Sequence, residues 1–471
     1  MRRFGGTSYL RIRALNPRVI CMSRFAAFAL SVIVSCSPIP QEAPPSRAVA
    51  LTQALPPMQM FSTSYVAPAT RPNSEIAQDF LDLSFRMESG RAVANMTRFD
   101  GPITVRATGD VNATMLHDLQ ALLARLRREA KLDITLVNAN QPASITIQAV
   151  PRATMQAAVP RAACFVVPRL TSWSEFKIAR RTPQVDWTTL TRRDRAVIFV
   201  PADVAPQETR DCLHEELAQA LGPLNDLYRL PDSVFNDDNI HAVLTSFDML
   251  ILRAYYDQDL RNGMSRGEVA ARIHPILAKL NPSGERGDGV PLNDTSRDWI
   301  TNIETALANG ANPTQRRNAA AQAIRLGNAF GWTGPRAGFA QYAYGRLEVG
   351  HNPSAALASF NAAEAAYIVS PTTQIHAAHI AVQQAAFALA AGDTARVIAL
   401  SDTWVNVAAQ HQNAALMSTL LMFKAQALDM RGETAQAESL RLDTLGWARY
   451  GFGSDANVQA RLDEIAGLAR R

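Results

Sequence analysis

Hydrophobic and polar positions along residues 75–285 follow a pattern that predicts interleaved strands and helices. "PITVRAT" (102–108) alternates apolar and polar residues, as a half-buried strand does. In residues 111–131 apolar side chains recur every three or four positions, which predicts an amphipathic helix. Four further apolar runs, "LDITLVNA", "ASITIQAV", "ACFVVPR" and "RAVIFVPAD", predict strands. We therefore predict a mixed α+β domain.

Three more helices are predicted in the same domain, one of them over "IHAVLTSFDMLILRAYYD" (240–257). "CLHEELAQALGPLND" (212–226) follows the last predicted strand and closes on a glycine turn. Ser265 to Leu280 predicts another helix, because Ser265 can act as the N-cap and Glu268, three residues later, completes a capping-box pattern.

The pattern changes to helices alone in the C-terminal part of the chain. Residues 286–296 are turn-forming and predict a linker, and residues 297–471 are alanine-rich and helical. Three similar helix-turn-helix phrases recur there, with turn glycines Gly350, Gly392 and Gly432 spaced by 42 and then 40 residues. They resemble tetratricopeptide-like repeats, whose usual period is about 34 residues. A nonrepetitive helical bundle is the alternative. Stacked repeats would offer a concave surface to proteins or peptides.

The net charge gives no reason to expect a nucleic-acid partner. The 471-residue chain has a formal charge of +5, but residues 1–35 contain six arginines and no acid. Removing these six charges from +5 leaves −1 for the rest of the chain. The basic balance therefore belongs to the N-terminal segment.

Residues 1–35 predict a bacterial lipoprotein signal peptide. "MSRFAAFALSVIVSC", read from Met22, has a short basic start and an apolar run. That run is shorter than the roughly 20 apolar residues of a membrane-spanning helix and has the length of a signal-peptide core. Its end resembles a lipobox, in which Cys36 would be acylated after cleavage. A plain secretion signal is the alternative, and the true start is open between Met1 and Met22.

Residues 36–74 are rich in proline and predict a semi-extended tether behind that cysteine. We therefore expect a periplasmic protein that is lipid-anchored to a bacterial membrane. Ser37 follows the cysteine, which favours the outer membrane. Two cysteines, Cys164 and Cys212, remain in the mature chain. Because the periplasm is oxidising, a disulfide between them is favoured over a reactive thiol.

The helix at 212–226 begins like a zinc-protease helix but lacks its second histidine. Read from His214, the motif H-E-x-x-H would need a histidine where Ala218 stands, and a methyl group cannot bind a metal. His214 alone is more often a hydrogen-bonding or surface residue than a catalyst.

Shifted by one residue, the segment resembles the metzincin zinc-protease signature H-E-x-x-H-x-x-G-x-x-H. The general-base position is then Glu216 and the turn glycine is Gly222. The three histidine positions are occupied by Glu215, Gln219 and Asn225. The resemblance implies a metzincin-like domain in which every zinc-binding imidazole is replaced.

A second resemblance covers roughly residues 75–280. "EELAQALGPLND", "SVFNDDN", "LTSFDMLILRAYYD" and "GMSRGEVA" are similar to a bacterial family of predicted lipoproteins catalogued only as domain of unknown function 2927. In "SVFN", Phe235 stands where metzincins place the methionine of their turn. The family resemblance implies an envelope location and no known activity.

Carboxylate and amide oxygens are hard ligands, which favour calcium or magnesium over zinc. Glu215, Gln219 and Asn225 are therefore the candidate metal positions, with Glu216 as the candidate catalytic base. We expect no cofactor, and a weakly bound divalent metal is the alternative.

The leading hypothesis is a catalytically degenerate domain joined to a helical domain that binds envelope proteins or peptides. An atypical metal-dependent peptidase or amidase that uses Glu216 is the first alternative. An architectural lipoprotein that scaffolds an envelope complex is the second.

Overall fold

The computed structural model describes residues 55–62, 69–160, 162–286, 289, 293–308 and 310–469. All of them belong to one compact unit, Ala48–Arg471. The predicted signal peptide and Cys36 lie outside the described residues. Among the described residues, no helix has the length and apolar character required to cross a bilayer.

The first part of the chain is a mixed α/β region, as the apolar patterning predicts. Its elements are α1 (Asn73–Ser84), β1 (Ile103–Gly109), α2 (Ala113–Glu129), β2 (Ile134–Leu136), β3 (Ile145–Val150), α3 (Arg152–Ala158), β4 (Phe165–Pro168), α4 (Trp173–Ala179), β5 (Ala196–Pro201), α5 (Pro206–Leu221), α6 (Ser246–Tyr255) and α7 (Arg266–Leu280). The α7 capping box is confirmed, since the Ser265 and Glu268 side chains each bond the other's backbone N–H.

The five strands form one sheet in the order β2-β1-β3-β5-β4. The first four are parallel to one another, and the edge strand β4 runs antiparallel to β5. Every residue of β5 is buried, as expected for a parallel strand covered on both faces. Helices α1, α2, α5, α6 and α7 contribute to the main core on one face. A smaller core joins α3 and α4 to Val197 and Phe199 on the other face.

The rest of the chain is entirely helical over its described residues. Its helices are α8 (Arg297–Leu307), α9 (Pro313–Ala329), α10 (Pro335–Glu348), α11 (Pro353–Tyr367), α12 (Gln374–Ala390), α13 (Thr394–Gln410), α14 (Ala414–Met430), α15 (Thr434–Phe452) and α16 (Asp455–Leu468). The three recurring phrases correspond to the pairs α10–α11, α12–α13 and α14–α15. Gly392 and Gly432 have φ values of 75° and 78°, so these two turns use the left-handed backbone that glycine favours.

Part of the predicted tether lies against the helical region. The backbone N–H of Gln59 donates to the Gly446 carbonyl at 3.0 Å, and the rings of Phe61 and Trp447 are 4.5 Å apart between centroids. A side chain at Gly446 would meet the Pro57 carbonyl oxygen at 2.9 Å, so the close approach needs glycine there. Residues 55–62 have no regular secondary structure and contact α15.

Candidate functional site

Helix α5 carries the motif and lies in the centre of the unit. It starts five residues after β5, with Pro206 in its first turn, and buries most of its length. At its other end, Gly222 lies so close to Tyr255 that an added Cβ would be 2.9 Å from the ring. The turn glycine of the motif is therefore required by packing.

A buried arginine holds the C-terminal end of this helix. Nη1 of Arg193 donates to the carbonyls of Gln219 and Ala220 at 2.7 and 2.6 Å, and its Nη2 donates to the Gly222 carbonyl. A positive charge at a helix C-terminus also interacts favourably with the helix dipole. The sequence pattern gave no indication of this contact, because Arg193 precedes the helix by 13 residues.

Four carboxyl groups gather around the motif. Burial and the neighbouring charges of Glu88 and Asp237 raise the pKa of Glu215 to about 7. Burial, reinforced by Glu215, raises the pKa of Glu216 well above its usual value. Burial raises the pKa of Asp226 in the same way and that of Asp237 to about 7. Close carboxylates in a low-dielectric site cannot all ionise, so this cluster holds protons at neutral pH.

Two of the three predicted ligand positions form hydrogen bonds inside the fold. The Gln219 amide donates to Oδ2 of Asp226 at 3.3 Å. The Asn225 amide donates to the backbone carbonyl of Asp82 at 3.0 Å. The third, Glu215, is partly buried beside them. A zinc ion does not fit this donor set, because it contains no imidazole or thiolate and its carboxyl member is partly protonated.

Two oxygens of the cluster have no hydrogen-bond partner among the described residues. They are Oε2 of Glu216 and Oδ1 of Asp226, and both are buried. Over the same residues, no group of three or more histidine, cysteine, aspartate or glutamate side chains is arranged to hold a metal ion. Neither of two surface grooves, of about 550 and 380 Å³, is lined by residues 212–226.

His214 has a structural role in the fold. Its Nδ1 accepts a hydrogen bond from the backbone N–H of Leu244 at 3.0 Å, which requires that nitrogen to be unprotonated. Burial, together with the charges of Arg125 and Arg210, lowers the pKa of His214 well below its ordinary value. The histidine is therefore neutral and ties α5 to the segment that precedes α6.

The turn after α5 is buried and packs tightly. Phe235, at the position of the metzincin turn methionine, is fully buried in the main core. The backbone N–H of Leu227 donates to the Phe235 carbonyl at 2.9 Å. The Ser233 hydroxyl donates to Asp248 at 2.5 Å, which fixes the turn to the start of α6.

A disulfide joins Cys164, next to β4, to Cys212 of α5. Their Cα atoms are 5.9 Å apart and they are separated by 48 positions in the chain. The bond connects the motif helix to the antiparallel edge of the sheet.

The helical region packs directly on the motif helix and its turn. Near the start of α5, the Gln207 amide donates to the side chain of Asn413 at 3.0 Å. Beyond its end, the Tyr228 ring lies 5.1 Å from that of Trp299. In the turn, Asp238 accepts a hydrogen bond from Nε2 of His376 at 3.0 Å.

A histidine cluster surrounds that last contact. The rings of His376 and His411 lie 5.7 and 5.5 Å from that of His241, and His379 is close enough to affect the pKa of His411. Half of the chain's eight histidines thus meet at one interface. Their positions, from 241 to 411, carry no local signal by which the sequence could reveal the cluster.

Comparison with curated proteins found no match, and comparison with solved structures found none either. Residues 73–275 match the family model described as "Protein of unknown function (DUF2927)", which supports the family resemblance carried by the motifs of this segment.

Proposed function

We propose that the chain is a lipid-anchored envelope protein whose metzincin-like domain is catalytically degenerate and whose helical region binds protein or peptide partners. One observation carries the first half of the proposal. The side chains at two ligand positions, Gln219 and Asn225, are used as hydrogen-bond donors within the fold. An active site would present those positions to a metal.

The arrangement around the motif supports the metzincin-like assignment. Helix α5 follows the last strand of a mostly parallel sheet, and a buried turn with Phe235 follows the helix. This is the order of elements that the shifted signature needs. The packing of the helical region against the turn also favours a structural use of the motif over a substrate cleft.

The second half of the proposal rests on the helical region. Successive helix pairs expose apolar side chains at their ends, such as Ile368 and Val369, which are 58% and 76% exposed. A photo-reactive residue at Val369 should cross-link to a discrete partner in cells, whereas one at Leu442, which is 61% exposed on α15, serves as the matched control. Equal labelling at both positions, or none at Val369, would contradict a binding surface there.

The lipid anchor is proposed from the sequence alone, through Cys36 and the apolar run before it. Metabolic labelling with a fatty-acid analogue should label the wild-type protein and not Cys36→Ser. Labelling of both proteins, or of neither, would contradict acylation at this cysteine.

The absence of catalysis is tested by metal content and hydrolysis together. Residues 48–471 would be expressed in the periplasm, purified without chelator or affinity metal, and analysed by elemental mass spectrometry beside the double variant Glu215→Ala, Gln219→Ala. We expect no stoichiometric metal in either protein and no Glu216-dependent hydrolysis of peptides. About one metal per chain in the parent, lost in the double variant, would contradict the proposal.

The alternative is an atypical metal-dependent peptidase or amidase with Glu216 as general base. The observation in its favour is the buried Oε2 of Glu216, which no described residue satisfies. Under this alternative, Glu216→Gln would abolish hydrolysis and leave the unfolding temperature nearly unchanged.

A further inference from the structure

Positive charge is concentrated in one stretch of an otherwise slightly acidic chain. Residues 151–200 contain nine arginine and lysine residues and three carboxylates, whereas the chain without residues 1–35 has a formal charge of −1. Part of this charge is used internally, since Arg193 holds the end of α5 and Arg152 pairs with Glu208. Lys177, Arg180 and Arg181 are exposed on α4 and the turn that follows it.

Helix α4 and the turn after it expose a basic surface to solvent. Lys177 and Ile178 are the exposed residues of the last helical turn, Arg180 is the C-cap, and Arg181 follows in the turn. Over the described residues, none of the three cations is ion-paired with a carboxylate, and Arg180 donates only to the Ala158 carbonyl. These charges are therefore available to an external anion.

Ile178 lies between those cations and is 85% exposed, which is more than any other large apolar side chain of the described residues. Exposure of a single large apolar residue is ordinary, but here three exposed cations lie within three residues of it in the chain. An apolar side chain among basic residues is the composition of surfaces that lie in a membrane interface.

A groove beside α4 extends the same surface. Its volume is about 550 Å³, and it is bounded by α3 alanines, Trp173, Lys177 and Arg180, with no carboxylate in its lining. Below it, the aromatic rings of Trp173 and Phe176 pack on Phe199 at 5.0 and 5.4 Å between centroids. This small aromatic core holds α4 as a firm platform rather than a loose loop.

We propose that the α4 surface, defined as Lys177, Ile178, Arg180, Arg181 and the groove between α3 and α4, docks onto an anionic phospholipid bilayer. The cations meet the lipid phosphates and Ile178 enters the interface. Charge complementarity favours an anionic bilayer as the partner, since the surface offers a group of cations and one apolar side chain. Docking would orient the folded unit on the membrane, and it does not depend on whether α5 is catalytic or whether Cys36 is acylated.

The test is co-sedimentation of residues 48–471, which form one compact unit and lack Cys36. Vesicles of phosphatidylcholine alone would be compared with vesicles that also contain phosphatidylglycerol, an anionic lipid. We expect binding only to the anionic vesicles, and we expect it to weaken strongly when salt is raised.

Two surface variants and their matched controls locate the binding. The triple variant Lys177→Gln, Arg180→Gln, Arg181→Gln should bind at least tenfold more weakly, because each cation near an anionic membrane contributes about fivefold. Ile178→Ser should also weaken binding, by about tenfold. The controls Arg261→Gln, Arg325→Gln, Arg396→Gln and, separately, Leu442→Ser remove the same charge and a comparable apolar side chain elsewhere.

Thermal unfolding of each variant shows whether it is folded. Equal binding to neutral and anionic vesicles, no binding to either, or equal losses in the control variants would each overturn the proposal. Loss confined to the α4 variants, with unfolding temperatures unchanged, would support it.

Discussion

Nε2 of His376 lies 3.0 Å from Oδ2 of Asp238, and this contact joins α12 to the turn that follows the motif helix. Both side chains are buried, and the imidazole also packs against Tyr367 with ring centroids 4.9 Å apart. The mixed region and the helical region are therefore connected through a polar contact that water does not reach. A buried polar pair of this kind destabilises the fold strongly if only one partner is removed.

The first prediction concerns that pair. His376→Ala should lower the free energy of unfolding by roughly 3 kcal/mol, because it leaves the Asp238 carboxylate buried with fewer partners. Urea unfolding of residues 48–471 measures the change. His274→Ala, at an exposed histidine on α7, is the control and should change stability by less than about 0.5 kcal/mol. Similar small effects of both variants would show that the pair is not important to the fold.

The second prediction is an acid sensitivity of the histidine cluster. Burial, aided by the neighbouring histidines, lowers the pKa of His379 to about 4 and that of His411 to about 3, and it also lowers the pKa of His241. The negative charge of Asp238 acts to raise the pKa of His379 and His241, whereas the positive charge of Arg346 lowers the pKa of His379 further. In the unfolded chain these imidazoles titrate near pH 6.5, so the unfolded state binds more protons below that value.

Stability contributed by these groups is therefore complete above about pH 6.5 and is lost as the pH falls toward 4. Buried carboxyl groups with raised pKa values make the protein more stable as the pH falls, which opposes the effect of the histidines. The test therefore compares a variant with the wild type at each pH. When the pH is lowered from 7.5 to 5, the unfolding temperature of His379→Gln should rise relative to that of the wild type. A constant difference over that range would refute the prediction.

The third prediction concerns Glu216. Because its folded-state pKa is raised, the folded protein binds a proton that the unfolded chain releases near pH 4.5, and this stability is lost as pH rises through the folded pKa. Glu216→Gln replaces the carboxyl with a neutral group of similar shape. As the pH rises from 6 to 9, the unfolding temperature of the variant should therefore increase relative to that of the wild type.

Glu438→Gln, at an exposed glutamate of α15, is the control and should follow the wild type at every pH. If Glu216→Gln instead loses several degrees at all pH values, the charged carboxylate is needed in the folded state.

Local patterns account for most of the secondary structure, and long-range contacts account for what the sequence did not reveal. The alternation around Val105 and the apolar run at Ile198 predict their strands, because each signal lies within six or seven residues. The seven-residue helices α3 and α4 were too short to show a helical period. The neutral state of His214 depends on Leu244, and the contact of Gln59 depends on Gly446, so neither could be predicted from neighbouring residues.

The last prediction concerns the disulfide between Cys164 and Cys212. The bond closes a loop with a sequence separation of 48, and it constrains the unfolded chain as well as fastening α5 to the sheet edge. For a loop of this size, its removal should cost roughly 2–4 kcal/mol. The double variant Cys164→Ser, Cys212→Ser should unfold at correspondingly lower urea, and reductant should lower the wild type to a similar midpoint while leaving the variant unchanged. Mass spectrometry would verify that the reductant frees both thiols of the wild type. If the urea midpoint of that reduced protein does not change, packing around Cys212 holds α5 in place without the bond.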